Sequence, residues 1–235
     1  MKWFFFYLVP IFGLFAQHKI EHQSQVWYGY YLTYPINNQW FVQGEVHTRH
    51  FADPLVHHQN AFRAHVHHTF GENWDVSAGT AIFLNTPNDP RISTRLAIPE
   101  YRPHVDVVYR HGSTAFRIDH RFRSEMRFNR GTDLARTKLS EDVNFSNYRF
   151  RYRFQAFFPL VKHIQGKVNT EILLNVGQEN PANVLDQHRM FAGLSIPIRD
   201  NLTMDVGYLH AFQQRPNLNY YDRSILSLMV YHQMN

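Results

Sequence analysis

The chain has 235 residues, with 24 Lys and Arg against 19 Asp and Glu, and a formal net charge of +5 at pH 7. Aromatic residues make up 16% of it, which excludes a disordered protein, because disordered segments contain few aromatic residues. The sequence contains no Cys, so a disulfide scaffold, a thiol nucleophile and a lipid anchor on Cys are excluded. The positive charge is small and follows strand faces, and we expect no nucleic-acid partner.

The first 16 residues have the layout of a secretory signal peptide. Lys2 supplies a positive charge, Trp3–Phe15 is almost entirely apolar, and Ala16 is a small residue at the expected cleavage site. About 13 apolar residues are too few for a membrane-spanning helix, which needs roughly 20. We therefore predict a signal peptide over residues 1–16 and a single barrel domain over residues 17–235.

After the signal peptide, the sequence falls into eleven segments of about ten to fifteen residues, separated by turn residues. The segments are Gln25–Tyr34, Gln39–His50, Gln59–Phe70, Trp74–Leu84, Glu100–His111, Thr114–Phe128, Asn147–Phe158, Gly166–Val176, Gln187–Ile198, Leu202–Gln213 and Asp222–Gln233. Charged and apolar residues alternate within them, most strictly over Tyr148–Gln155. A period of two is that of a β-strand, so each strand has one charged face and one apolar face.

Two architectures place these faces differently. A soluble β-sandwich or barrel buries the apolar face, whereas an outer-membrane barrel turns it to lipid and encloses the polar face. Segments of about ten to twelve residues match a tilted transmembrane strand, which favours the membrane barrel. Bacterial barrels formed by one chain usually have an even number of strands, so we expect ten to twelve. Either His18–Ser24 forms a weak extra strand or threads the lumen, or one of the eleven segments lies off the barrel wall.

The connections alternate between short and long, as periplasmic turns and outer loops do. The short ones are Pro35–Asn38, Gly71–Asn73, Gly112-Ser113 and Arg199–Asn201, and the long ones are Phe51–His58, Asn85–Pro99, Asn129–Ser146 and Gly177–Asp186. Aromatic residues beside the short turns are typical of a girdle at a membrane interface. They are Tyr34, Trp40, Phe70, Trp74, Phe157 and Phe158. We predict an all-β, antiparallel transmembrane barrel in the cell outer membrane, whose partners are outer-membrane lipids and the barrel-insertion machinery.

Motifs in five of the segments carry a family resemblance. They are Glu100–Pro103, His120–Phe128, Arg149–Arg153, Gln187–Gly193 and Val206–Leu209. In this order and spacing they resemble a family of Gram-negative outer-membrane β-barrels known only as a domain of unknown function. The resemblance implies the barrel fold and the outer membrane. It implies no activity and no catalytic residues.

The charged face, on which Arg49, Arg102 and Arg189 also lie, is predicted to line the lumen, and arginine outnumbers the acidic residues on it. The predicted lumen residues are Glu45, Asp106, Arg117, Asp119, Arg121, Arg123, Glu125, Arg127, Arg149, Arg151, Arg153 and Glu171. Either these charges pair across strands and fill a structural core, or they line a narrow pore for a small anionic solute. We expect pairing, because a narrow lumen leaves unpaired arginine little room for water.

The 16 His residues raise the hypothesis of a metal site. His47, His65 and His67 converge if the second and third segments form a hairpin. Scattered His without Cys and without a tight ligand spacing fits zinc geometry poorly, however. We predict no metal and no cofactor.

A lipid-modifying hydrolase of the outer membrane is the alternative function. His120 and Ser124 share the apolar face of one segment, as a nucleophile and its base would. Four residues along a strand span about 13 Å, which is too far for a hydrogen bond between them. We therefore predict no catalytic residue. A soluble periplasmic barrel that binds a ligand is the third possibility.

Overall fold

The computed structural model of the protein describes residues 19–113, 116–177, 183–215 and 219–234, and the predicted signal peptide lies outside these ranges. Within them the chain forms eleven β-strands. The strands are β1 (Ile20–Pro35), β2 (Trp40–Ala52), β3 (Leu55–Phe70), β4 (Trp74–Asn85), β5 (Ile98–Gly112), β6 (Arg117–Thr132), β7 (Leu139–Val161), β8 (Ile164–Val176), β9 (Leu185–Arg199), β10 (Leu202–Gln214) and β11 (Tyr220–Gln233). None of the described segments is a helix long and apolar enough to cross a membrane.

The eleven strands close into one barrel, which confirms the predicted all-β fold. Every strand is antiparallel to the next one along the chain, and β1 closes the barrel by pairing in parallel with β11. An odd number of alternating strands makes the first and last run in the same direction, so the closing pair is parallel. His18–Ser24 was predicted to form an extra strand or to thread the lumen. Within this segment, Ile20–Ser24 instead extends β1 and pairs with β11.

The barrel is inverted relative to a soluble protein, because its apolar side chains point outward and its charged side chains inward. On β6 and β7, Phe122 and Phe150 are 56% and 47% exposed, whereas the adjacent Arg123 and Arg149 are 6% and 4% exposed. Most of the buried residues are polar or charged, and most of the outward surface is made by large apolar residues. The period-two alternation of the sequence therefore produces the two faces directly.

Short turns gather at one end of the barrel, and the other end carries the longer connections together with one tight turn between β2 and β3. The end with short turns carries residues 36–39, 71–73, 162–163 and 200–201, together with the connection between β5 and β6. Two of the connections predicted to be long are mostly strand. β2 and β3 continue through Phe51–His58 to a tight turn at residues 53–54, and β6 and β7 continue into Asn129–Ser146 as far as Thr132 and Leu139. Residues 141–146 of β7 are all exposed, so their sequence lacks the alternation of polar and apolar residues that identifies a strand.

The aromatic residues near the short turns divide between the two faces. Tyr34, Trp40, Phe70 and Trp74 are exposed on the outward face, as the predicted girdle requires. Phe157 is 7% exposed and lies beneath the guanidinium of an inward-facing arginine, so its assignment to the girdle was wrong. Neighbouring residues of a strand point to opposite faces, and two consecutive Phe residues cannot both face outward.

Candidate functional site

The barrel interior is the candidate functional site. All twelve side chains predicted for the lumen face it: nine line a cavity, and Glu125, Arg127 and Arg149 lie beyond that cavity in a packed layer. Arg117, at the mouth of the cavity, is half exposed and pairs with Asp119 at 3.2 Å. The other side chains of the set are buried or partly buried.

Glu125 and Glu171 organise the arginines of β6 and β7. Arg151 bridges them, donating to Glu125 at 2.7 Å and to Glu171 at 2.8 and 3.1 Å. Glu125 also accepts from Arg149 Nε at 2.9 Å, and Glu171 accepts from Arg121 at 2.6 Å. Two carboxylates therefore neutralise guanidinium groups that would otherwise repel one another across neighbouring strands.

Toward the end with longer connections, these ion pairs continue as a closing layer formed by Glu100, Arg102, Glu125, Arg127, Arg149 and Asp186. Glu100 accepts from Arg102 at 2.7 and 2.9 Å and from Arg127 at 2.5 Å. Asp186 accepts from Arg149 at 3.0 Å. Each acid in the layer thus has at least one arginine partner, and all six side chains are buried or partly buried.

Two members of the closing layer were missed from the sequence. Glu100 has the same strand parity as Arg102 and Asp106, so the alternation itself could have identified it. Asp186 carried no such signal. The register between β8 and β9 shifts beside it: Leu173 pairs with Gln187, whereas the next residue, Leu174, pairs with Leu185. This irregularity interrupts the alternation of inward and outward side chains.

The connection between β4 and β5 folds over the same end of the barrel. Asn88 in this loop accepts from Arg223 on β11 at 3.1 Å through its side chain and from Gln23 on β1 at 2.8 Å through its carbonyl. Arg95 donates to the carbonyl of His57 at 2.9 Å. The loop therefore reaches from β4 and β5 to the seam between β1 and β11.

The opposite half of the interior contains a cavity of about 910 Å³, which we call the vestibule. It extends to Lys162 and His163 in the turn between β7 and β8, and inward to Arg151 and Glu171. Arg151 reaches the closing layer through its ion pair with Glu125, and none of the six closing-layer residues lines the cavity. The vestibule therefore opens at the end with short turns and ends at the closing layer.

Two arginines on the vestibule wall have no carboxylate partner among the described residues. Arg153 makes no ion pair there, and its Nε is buried without a hydrogen-bond partner. Arg49 donates to the neutral side chain of Gln59 and lies 3.8 Å from the centre of the Trp27 ring. The wall of the vestibule consequently carries uncompensated positive charge.

The three His residues expected to converge in the hairpin of β2 and β3 only partly do so. His47 and His65 both approach Glu45, at 3.5 and 3.2 Å, whereas His67 turns away to Asp75 at 2.9 Å. His65 instead meets His104 of β5 at 3.1 Å. A buried group of His65, His104 and Asp106 thus has the donor atoms that could hold a metal ion.

The two residues considered for a hydrolase lie on the outward face without contacting each other. His120 Nδ1 lies 2.8 Å from the Tyr152 hydroxyl, and His120 Nε2 lies 3.1 Å from His111 Nε2. Both ring nitrogens therefore contact groups other than Ser124. The geometry contains no nucleophile–base pair at these positions.

A family model described as "Protein of unknown function (DUF2490)" matches residues 24–222 of the chain. The chain belongs to the DUF2490 family. Membership of a family of unknown function, expected from the motifs, is thus confirmed. No curated protein matches the sequence.

Among solved structures, the NanC porin in its rhombohedral crystal form is similar to this DUF2490 chain. The TM-score is 0.54 and the sequence identity 14%, and the match covers 89% of this chain and 99% of the porin chain. At this identity the likeness shows the fold alone. The DUF2490 chain is a closed β-barrel that resembles a porin.

Proposed function

We propose that the protein is an outer-membrane β-barrel whose interior is closed on the side of its longer connections and open as a positively charged vestibule on the side of its short turns. The inverted faces of the barrel support its place in a membrane, because large apolar side chains such as Phe122 and Phe150 are costly in water and favourable in lipid. The short turns are then periplasmic and the longer connections face outward.

The ion pairs of the closing layer are the observation that supports a closed barrel. Its acids are almost completely buried, and each is held by arginine at hydrogen-bond distance. Buried ion pairs of this geometry break only at high cost, since an unpaired charge would remain. The barrel therefore acts as a structural barrel or as a pore of very small conductance.

A second candidate function is the binding of a small anionic solute in the vestibule. It is favoured by Arg49 and Arg153, which line the vestibule and have no carboxylate partner in the described part of the chain. Lys162 at the mouth adds positive charge. A carboxylate or phosphate entering from the periplasmic side would meet guanidinium groups suited to bidentate contacts.

Conductance of the purified, refolded protein in planar bilayers tests the closed state. We expect little current for the wild type and a clear increase for Arg149→Ser/Asp186→Ser. This double substitution removes both partners of one closing-layer pair, and Glu125, the other partner of Arg149, keeps its ion pair with Arg151. The matched control is Lys167→Ser/Asp205→Ser, which removes a pair on the vestibule wall. A large current through the wild type, or no increase in the first variant, would contradict the proposal.

The opened variant also tests the second candidate function. In a salt gradient its reversal potential should indicate anion preference, and Arg153→Gln should weaken that preference. A cation preference that Arg153→Gln leaves unchanged would show that this arginine does not act on passing ions.

Fractionation tests the location. We expect the mature chain to begin at or near Gln17, to sediment with outer membranes and to run as a compact, heat-modifiable band. Recovery from the soluble periplasm without detergent would contradict a membrane barrel.

A further inference from the structure

Two buried His residues from different strands meet in the interior. His65 of β3 and His104 of β5 lie on either side of Gly79 of β4, which pairs with both of them. Gly79 has no side chain to separate the imidazoles, so His65 Nδ1 and His104 Nε2 approach to 3.1 Å. Both rings are almost completely buried.

In one tautomer of His65, the two rings present lone pairs to each other. The carbonyl oxygen of Arg102 lies 2.9 Å from His104 Nδ1 and can only accept, so His104 Nδ1 carries the hydrogen and Nε2 has a lone pair. His65 Nε2 faces Glu45 Oε1 at 3.2 Å, at ion-pair distance though without the alignment of a hydrogen bond. A hydrogen on this nitrogen leaves a second lone pair on His65 Nδ1. In this tautomer two lone pairs 3.1 Å apart face each other, an arrangement that a metal ion between them stabilises. In the other tautomer His65 Nδ1 donates its hydrogen to His104 Nε2.

Asp106 provides a third donor atom beside the two His residues. It lies two residues after His104 on the same face of β5, and its Oδ2 is 3.9 Å from His104 Nε2. This oxygen is buried and has no hydrogen-bond partner among the residues that the structure describes, since Arg123 binds Oδ1, at 2.7 Å. One ligand atom from each of His65, His104 and Asp106 fits within 4.8 Å, which a metal ion would draw slightly closer.

The surrounding groups match those around metal-binding His residues in other proteins. Such a His usually presents its second ring nitrogen to a carboxylate or a backbone carbonyl, which fixes its orientation. Glu45 faces His65 in this way, and the Arg102 carbonyl faces His104. Arg63 in turn binds Glu45.

The nearby arginines lower the affinity of such a site for a metal ion. Arg63 and Arg123 are ion-paired to the two carboxylates, and Arg121 Nε lies 3.7 Å from Asp106. Their positive charge opposes a second cation, so binding should be weaker than at a closed structural zinc site. His65 and Asp106 also line the vestibule, which gives an ion a route to the site and a water molecule access to a fourth position.

We propose that His65, His104 and Asp106 bind one divalent transition-metal ion of the zinc type, with Glu45 positioning His65. Two imidazole nitrogens and one carboxylate oxygen suit Zn²⁺ and Co²⁺ rather than Ca²⁺ or Mg²⁺, which prefer oxygen ligands. The site lies on the wall of the vestibule and is independent of whether the closing layer opens.

Titration of the refolded full-length chain in detergent with Co²⁺, followed by its visible absorption and by competition with Zn²⁺, tests the site. We expect one ion per chain. His104→Ala should lower the affinity at least tenfold, and Glu45→Gln should lower it about 10–100-fold, as loss of an orienting carboxylate does elsewhere. Because an altered interior can affect folding, each variant is first checked for heat-modifiable migration. In addition, Zn²⁺ should raise the urea midpoint of the wild type but not that of His104→Gln.

Two outward-facing His pairs provide matched controls. His111→Ala removes a pair with the same 3.1 Å separation but no third donor, and His57→Ala removes the ring that faces His50. Neither substitution should change the affinity. Absence of saturable binding would overturn the proposal and assign a shared proton to the pair. Wild-type affinity in His104→Ala, or lost binding in either control, would also overturn it.

Discussion

Replacing Glu125 with Gln should destabilise the barrel by about 3–5 kcal/mol, the usual cost of breaking a buried ion pair from one side. Glu125 is 2% exposed and accepts from Arg149 Nε at 2.9 Å and from Arg151 at 2.7 Å. Gln keeps one acceptor oxygen but loses the charge, and each charge-assisted bond contributes about 1.5–3 kcal/mol. Arg149 retains Asp186 and Arg151 retains Glu171, which keeps the expected loss below the sum of both pairs.

Reversible urea unfolding in lipid vesicles, followed by Trp fluorescence, measures this loss. Glu141→Gln is the matched control, because Glu141 lies on the exposed part of β7 and its substitution should change the free energy of unfolding by less than about 0.5 kcal/mol. A double-mutant cycle of Glu125→Gln with Arg151→Gln should give a coupling energy of about 1–3 kcal/mol. A cost below about 0.5 kcal/mol for Glu125→Gln would refute the role of this carboxylate in neutralising the arginines.

Three further predictions concern the wall of the barrel. Phe150→Arg should lower the free energy of unfolding by about 2–4 kcal/mol if residue 150 lies near the membrane midplane. The fluorescence of a label on Phe150→Cys should be quenched by lipid-borne spin probes, whereas that of a label on Arg151→Cys should not. The reverse pattern would place the charged face against lipid. Gly207→Ala should cost about 1–3 kcal/mol by urea unfolding, because its Cβ would lie 2.5 Å from a carbonyl oxygen of β9, and an unchanged stability would show that the strands can separate there. Val26→Cys with Leu226→Cys should cross-link across the parallel seam, as gel migration after oxidation would reveal, whereas no cross-link would contradict this register.

Where the strands are regular, the direction of a side chain could be predicted from the sequence, but the identity of its ion-pair partner could not. Alternation along β6 and β7 places their arginines inward whatever the register. The partners depend on how neighbouring strands are offset. Arg153 is directly opposite Glu171 in the pairing of β7 with β8, yet the carboxylate binds Arg151 and also Arg121, which lies two strands away. Such contacts form only once the barrel has closed and its interior is narrow.

The meeting of His65 and His104 illustrates the same limit. Sequence reasoning considered His65 with its hairpin neighbours His47 and His67, because adjacent segments are the natural candidates for contact. The contact that forms crosses an entire strand at Gly79. A glycine in a strand does not by itself indicate that the side chains on either side of it are in contact, since glycine also occurs in strands at bulges and bends.

The number of strands shows where a general rule and the particular sequence disagree. Eleven segments were visible, and the preference of bacterial barrels for even numbers led us to expect an additional or a missing strand. That preference arises because alternating strands close with antiparallel hydrogen bonds only when their number is even. A parallel pair also satisfies both edges, with slanted bonds that are slightly less stable per residue. Here the parallel seam extends from Ile20↔Tyr220 to Thr33↔Gln233, so its length offsets the weaker bonds and leaves neither edge unpaired.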